Sequence, residues 1–198
     1  MRFVDLFCGI GGFHAALSQL GHECVFACDA DGDAAKMYQH NFGLPAHLDI
    51  RDCTNLPSFE ILCAGFPCQP FSKSGSQEGF NDKTRGTLFH EIMRLVNESK
   101  PKILLLENVP NLKTHDDGNT FKVIKQSIEA AGYNFYSIIL SPHNFGTPQI
   151  RKRLYMVGIK TEICSTEEFN FPVSSNQMTT VKSILDKKST VPKKYHLS

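Results

Sequence analysis

Charge of one sign is what this sequence most plainly lacks. Lys and Arg number 21 against 20 Asp and Glu, a formal net charge of +1 over 198 residues. A global basic excess therefore does not announce a nucleic-acid partner, although a basic groove can be hidden in a balanced total. Long hydrophobic runs are missing as well. The apolar start, Met1 to Phe13, is short and is broken by Asp5 and by glycines. With no basic leader and no small-residue cleavage site, it reads as neither a signal peptide nor a membrane span. No internal repeat is visible. The seven cysteines, Cys8, Cys24, Cys28, Cys53, Cys63, Cys68 and Cys164, are an odd number, several of them in strand-like apolar runs. That usage points to reduced thiols in a cytoplasm rather than a disulfide framework. It does not suggest zinc either. Cys24 and Cys28 are four apart, but Val25, Phe26 and Ala27 between them read as a buried strand, so no metal is expected.

Short apolar runs alternating with helical periods are what the sequence does have, at 41% hydrophobic residues. Strands are predicted at Arg2 to Phe7, Cys24 to Cys28, Ala46 to Leu48, Ile61 to Ala64, Ile103 to Leu106, Phe135 to Leu140 and Leu154 to Ile159. Between them, Phe13, Ala16, Leu17 and Leu20 repeat as one helix face, which Gly21 ends. Further helices are predicted over about 33–41, from Leu88 to before Pro101, and through Phe121, Ile124, Ile128 and Ala131 to Gly132. The loop from Gly65 to about Gly86 is long enough to be functional or mobile. Fully apolar strands alternating with helices imply an α/β fold, a mainly parallel sheet covered on both faces. Ligands in such folds bind beyond the carboxyl ends of the strands. That is where Phe7 to Gly12, Asp29, Asp49, Gly65 to Ser72 and Glu107 fall. After about Thr161 the pattern fades. Residues 1–160 are read as the catalytic and cofactor-binding domain and 161–198 as a tail, of which Val173 to Ser198 is polar and partly ordered.

Asp5-Leu6-Phe7-Cys8-Gly9-Ile10-Gly11-Gly12 is a glycine turn between strand and helix, able to bring backbone N–H groups to a ligand. Asp29, twenty residues after Gly9, is placed to accept hydrogen bonds from ribose hydroxyls. His14 stands where a dinucleotide fingerprint needs its third glycine, which favours a nucleoside cofactor other than NAD. Asp49 taken alone reads as a cap or turn residue; as a ligand, it would accept from an adenine amino group. Cys68, between Pro67 and Pro70, cannot lie in a regular helix or ladder, so its thiol sits on a rigid turn at the sheet's carboxyl edge. The usual fate of a free cysteine, a small buried hydrophobe, suits Cys28 and Cys63 better. Glu107 ends the run Ile103 to Leu106 and faces the same crevice, where a carboxyl can hold or give a proton. Gln149, Arg151 and Arg153 alternate into the last strand, which would put all three side chains on one face.

In this order, DLFCGIGGF, Asp49-Ile50, GFPCQPFS, Arg85-Gly86-Thr87-Leu88-Phe89, Glu107-Asn108-Val109 and Gln149 to Arg153 closely resemble the cytosine-carbon-5 DNA methyltransferases of bacterial restriction-modification systems, over the chain to about residue 160. The resemblance implies a Rossmann-like methyltransferase fold with seven strands, the last antiparallel. It implies S-adenosylmethionine as cofactor, bound by Phe7, Gly9, Gly11, Asp29, Asp49, Ile50 and Leu88. Duplex DNA is the implied substrate, contacted by Pro67, Gln69, Ser72, Asn108 and Gln149. The implied catalytic residues are Cys68 as nucleophile, Glu107 at the base, Arg153 assisting and Arg151 supporting, with Phe71 to Arg85 as a closing loop.

Family members normally continue into a target-recognition domain and a helix that packs back beside the first glycine motif. Residues Thr161 to Ser198 resemble neither. A split subunit or truncated product, completed by another polypeptide, is therefore expected, with an apolar flank exposed where the helix would sit. An RNA cytosine methyltransferase, a non-catalytic nucleic-acid-binding subunit and a nicotinamide dehydrogenase remain as alternatives. Loss of Cys68 would be tolerated only in the second, and His14 with the Cys68–Glu107 pair disfavours the third.

Overall fold

The computed structural model describes residues 1–47, 49–67, 88–163, 169–175 and 179–186. Seven strands form one sheet: β1 (Arg2–Leu6), β2 (Glu23–Cys28), β3 (Ala46–His47), β4 (Ile61–Gly65), β5 (Ile103–Asn108), β6 (Tyr133–Leu140) and β7 (Arg153–Lys160). Their order is β3-β2-β1-β4-β5-β7-β6. The pairs β1–β2, β1–β4, β2–β3 and β4–β5 are parallel, and β7 runs antiparallel to both β5 and β6. This is the predicted seven-stranded α/β sheet with its last strand reversed.

Helices cover both faces. On one side lie α1 (Gly12–Gln19) and α2 (Gly32–Phe42); on the other lie α3 (Leu88–Ser99) and α4 (Asn119–Ala130). The period-2 alternation of the strands explains the two packings. Val4, Leu6, Leu62, Ala64, Leu104 and Leu106 meet Phe89, Ile92, Leu95, Ile124 and Ile128 of α3 and α4. Phe3, Ile61 and Cys63, from the opposite set of positions, meet Leu17 and Phe13 of α1. The helix stops act as the sequence indicates: Gly21 and Gly132 both take positive φ, at 78° and 89°.

One expectation needs correcting. Strand β7 begins only at Arg153, so Gln149 and Arg151 lie in irregular chain ahead of it, and strand alternation does not fix their side chains to one face. Part of the segment after residue 160 packs against the strands and the connection before β7. The Phe169 ring packs on Tyr136 and Phe171, and the Ser174 and Ser175 hydroxyls and the Ser175 amide donate to the Asn144 carbonyl. Two aromatic side chains give this stretch something to bury, which a count of polar residues hides. A single turn, α5 (Val181–Ile184), follows.

Candidate active site

The carboxyl ends of β1, β2, β4 and β5 converge, and the predicted site residues are distributed along that edge. After β1 the backbone turns sharply. Phe7, Gly9 and Gly11 all adopt positive φ, at 56°, 54° and 95°. Such angles cost an L-residue about 1–2 kcal/mol, so the strain at Phe7 is a feature of the turn. Asp29, directly after β2, closes this turn. Its Oδ2 accepts from the Gly9 amide at 2.7 Å and its Oδ1 from the Asp31 amide at 2.9 Å. Each carboxylate oxygen retains a further lone pair, and the side chain is only partly buried.

Asp49 takes the capping role that its sequence context allows. It caps the short helix Ile50–Asp52 by accepting from the Arg51 amide, and it faces the same edge as Asp29. The Arg51 side chain grips it with Nη2–Oδ2 at 2.6 Å, and the guanidinium holds the carboxyl below its ordinary range. Ile50 is buried at the base of this segment. Its carbonyl accepts from Arg94 Nη2 of α3 at 3.0 Å. Leu88, at the start of α3, packs half-buried against the same core. These residues fit a nucleoside cofactor. Added Cβ atoms at Gly9 and Gly12 would meet nothing within 4 Å, so the turn leaves open space beside its backbone, with an acid on the neighbouring strand end.

At the centre of the edge, Glu107 of β5 pairs in register with Gly65 of β4. A Cβ at Gly65 would stand 3.6 Å from Glu107 Oε2 and 3.9 Å from the Phe7 carbonyl oxygen. Both are ordinary van der Waals separations, so Gly65 sits between the carboxylate and the first turn within contact range of each. Arg153 Nε holds Glu107 Oε1 at 2.7 Å, with both side chains three-quarters buried. Asn108 is buried and hydrogen-bonded at both ends of its side-chain amide. Its Nδ2 donates to the Phe66 carbonyl at 2.8 Å, and its Oδ1 accepts from the Val109 amide at 2.8 Å. It ties β5 to the chain leaving β4. Pro67 is exposed at the end of that chain.

Cys68, Gln69, Ser72, the Phe71–Arg85 loop and Arg85-Gly86-Thr87 lie outside the described residues, as does Leu48. Gln149 and Arg151 are exposed on the connection before β7, where the Arg151 amide donates to the buried Ser141 hydroxyl. The structure therefore brings Phe7, Gly9, Asp29, Gly65, Glu107 and Arg153 to one edge, and leaves Gln149 and Arg151 on its open side. Sequence reasoning missed Arg51 and Arg94. Arg51, two residues from Asp49, could have been read as its local partner. Arg94 reaches a carbonyl 44 residues away and gives no local signal.

The whole chain, residues 1–198, matches the model of the C-5 cytosine-specific DNA methylase family. Type II methyltransferase M.HhaI of Haemophilus parahaemolyticus is 43% identical over 187 residues, covering 93% of this chain and 57% of the relative. Type II methyltransferase M.MspI of Moraxella sp is 46% identical over 173 residues, covering 86% and 41%. Type II methyltransferase M.HaeII of Haemophilus aegyptius is 43% identical over 199 residues, covering 100% and 61%. The chain thus spans about half the length of these curated relatives. Among solved structures, the methyltransferase EhMeth of Entamoeba histolytica superposes with a TM-score of 0.70 at 21% identity, covering 100% of this chain and 63% of that one. Spodoptera frugiperda DNMT2 gives 0.69 at 22% identity, covering 94% and 60%. These two likenesses show the fold alone. The shared fold, the ordered motifs and the full-length match place the chain in the C-5 cytosine-specific DNA methylase family, whose methyl donor is S-adenosylmethionine.

Proposed function

We propose that this chain carries the catalytic centre of an enzyme that methylates carbon 5 of cytosine in DNA. The observation that carries the reading is Glu107, held by Arg153 and set in register with Gly65, two residues before the Pro67–Cys68 step. Carbon 5 of cytosine is too weak a nucleophile to attack a methyl sulfonium unaided. The Cys68 thiolate adds to carbon 6, which turns the ring into an enamine with electron density at carbon 5. Glu107 engages ring nitrogen 3 and the amino group and stabilises the charge that this addition creates. Arg153 fixes the carboxylate's position. S-adenosylmethionine, held by Phe7, Gly9, Gly11, Asp29, Asp49, Ile50 and Leu88, supplies the electrophilic methyl group. Once carbon 5 loses its proton, the thiolate leaves. The target base must come out of the duplex for any of this, and Pro67, Gln69, Ser72, Gln149 and Arg151 receive it and its backbone, while Asn108 braces the strand end. Residues 1–160 form the catalytic unit, and 161–198 lead toward the recognition function.

Reading of a DNA sequence draws on the stretch that the relatives have beyond their match to this chain, supplied by the same polypeptide or by a second one. The balanced charge is consistent with this, because phosphate contacts need clustered Lys and Arg. The test uses duplex DNA carrying 5-fluorocytosine, with cofactor and a polypeptide bearing the relatives' recognition stretch. Fluorine cannot leave as a proton does, so a covalent adduct mapping to Cys68 is expected. An adduct at Cys63, or one that survives Cys68→Ala, overturns the assignment. Trapping on RNA in place of DNA would move the reading to an RNA substrate.

A further inference from the structure

The proposed chemistry gives His14 no role, although it stands where a dinucleotide fingerprint has its third glycine. That glycine lets the helix pack close to the strand. Here the position carries an imidazole in the first turn of α1, three residues after Gly11. His14 Nδ1 and the Tyr38 hydroxyl of α2 are hydrogen-bonded at 2.6 Å. The imidazole also stacks on the ring of Phe42, the last residue of α2, with centroids 3.9 Å apart and planes 14° from parallel. Tyr38 is fully buried, and its ring lies 5.0 Å from that of Phe42. Phe3 of β1 completes the cluster with a T-shaped contact to the imidazole at 5.8 Å.

This cluster touches the glycine turn directly. The three atoms nearest to where a Gly11 Cβ would stand all belong to the Phe42 ring. Phe42 therefore contacts both the turn and His14. Helix α1 begins at Gly12, straight after the turn, and α2 begins at Gly32, three residues after Asp29. The cluster thus joins the two helices that leave the two ends of the Gly9–Asp29 hydrogen bond. Phe7, in the same turn, is a non-glycine residue at φ 56°. Such an angle persists only while its surroundings impose it.

We propose that His14 is a positioning residue for the cofactor turn: its ring pins Phe42 against Gly11 and so keeps the Gly9 amide on Asp29, in the shape that receives the nucleoside. The placement stands on the contacts between α1 and α2; the effect on binding rests on the reading of Phe7, Gly9, Gly11 and Asp29 as cofactor residues. The Tyr38 hydrogen bond fixes the rotation of the imidazole, so that its face meets Phe42. Without the imidazole, one face of the Phe42 ring loses its cover, and the ring can withdraw from Gly11.

The experiment compares two double variants of the full chain. His14→Ala/Tyr38→Phe removes the ring and the hydroxyl together. His14→Phe/Tyr38→Phe loses the same hydrogen bond but keeps a ring over Phe42. Neither leaves a buried hydroxyl without a partner, and the Cys24 thiol keeps its contact with the Phe26 carbonyl, so the difference between them reports the ring. In calorimetry, S-adenosylmethionine should bind the alanine variant at least ~10-fold more weakly, the scale of one lost aromatic pair, and the phenylalanine variant within ~3-fold of the unaltered chain. Amide exchange, followed residue by residue by NMR without cofactor, should quicken at Gly9 of the alanine variant by a larger factor than at the core amides of β4 and β5. A side chain that only stabilised the fold would quicken all of them together. Equal affinity in the two variants, or Gly9 exchange that rises only in step with β4 and β5, overturns the proposal. If the unaltered chain fails to bind S-adenosylmethionine, the cofactor reading fails, while the exchange comparison still decides whether His14 holds the turn.

Discussion

Glu107 shows how a side chain acquires a function from its neighbours. A strand-end carboxylate is common; this one has Gly65 across the register and Arg153 on the other flank at 2.7 Å. Glu107→Gln keeps the shape and loses the charge that Arg153 holds and that the substrate ring would meet. Cofactor affinity measured by calorimetry should be nearly unchanged, while methyl transfer slows by at least ~10²-fold, the scale for a positioned acid–base group. Turnover near that of the unaltered protein in single-turnover kinetics would remove Glu107 from the chemistry. The importance of Glu107 was legible because it ends an all-apolar run, and that of Cys68 because prolines frame it. The partner of Glu107 on β7 was legible only as one of three alternating residues. What separates Arg153 from Gln149 and Arg151 is the point at which β7 begins pairing, and pairing is a tertiary outcome.

The glycine turn shows that two residues of one type in one motif can be required for different reasons. Gly9 needs only its backbone angle, since a Cβ there would meet open space. Gly11 needs both its angle, φ 95°, and its missing side chain, because a Cβ would run into the Phe42 ring of α2. Gly9→Ala should therefore cost roughly 1–2 kcal/mol, the left-handed penalty alone. Gly11→Ala should cost more, because α2 must also shift. Urea unfolding of both variants checks this, and equal losses would mean that Phe42 yields freely. The strands were readable from their apolar runs to within a residue or two, because buried parallel strands carry little else. The short 3-10 helices at Ile50–Asp52, Pro110–Lys113 and Pro142–Phe145 were not. Each is three or four residues long, too short to show a hydrophobic period.

The molecule as a whole carries a buried carboxyl that makes its stability depend on pH. Asp5 lies in the middle of β1 with no exposure, and neither carboxyl oxygen has a hydrogen-bond partner of good geometry among the described residues. Burial pushes its pKa from 3.8 up to about 8; the nearby His14 amide offsets this only in part, and the charge of Asp29 adds to it. Folding therefore takes up a proton between these two values, because the unfolded chain has ionised Asp5 and the folded chain has not. The native state binds more protons in that window, so stability falls as pH rises from about 4 toward 8 and levels off above. Below the window Asp5 is neutral in both states and costs little beyond its unmade hydrogen bonds. Asp5→Asn places a neutral side chain of the same shape in the same space. At pH 5 the variant and the unaltered chain should melt within a few degrees of each other. At pH 8.5 the variant should be the more stable, by roughly 1–3 kcal/mol, the range for burying a polar group without compensation. Denaturant titrations of the cofactor-free chain at the two pH values measure this difference directly. A gain of the same size at both pH values, or a loss confined to pH 8.5, would mean that Asp5 is ionised in the fold and has a partner to hold its charge.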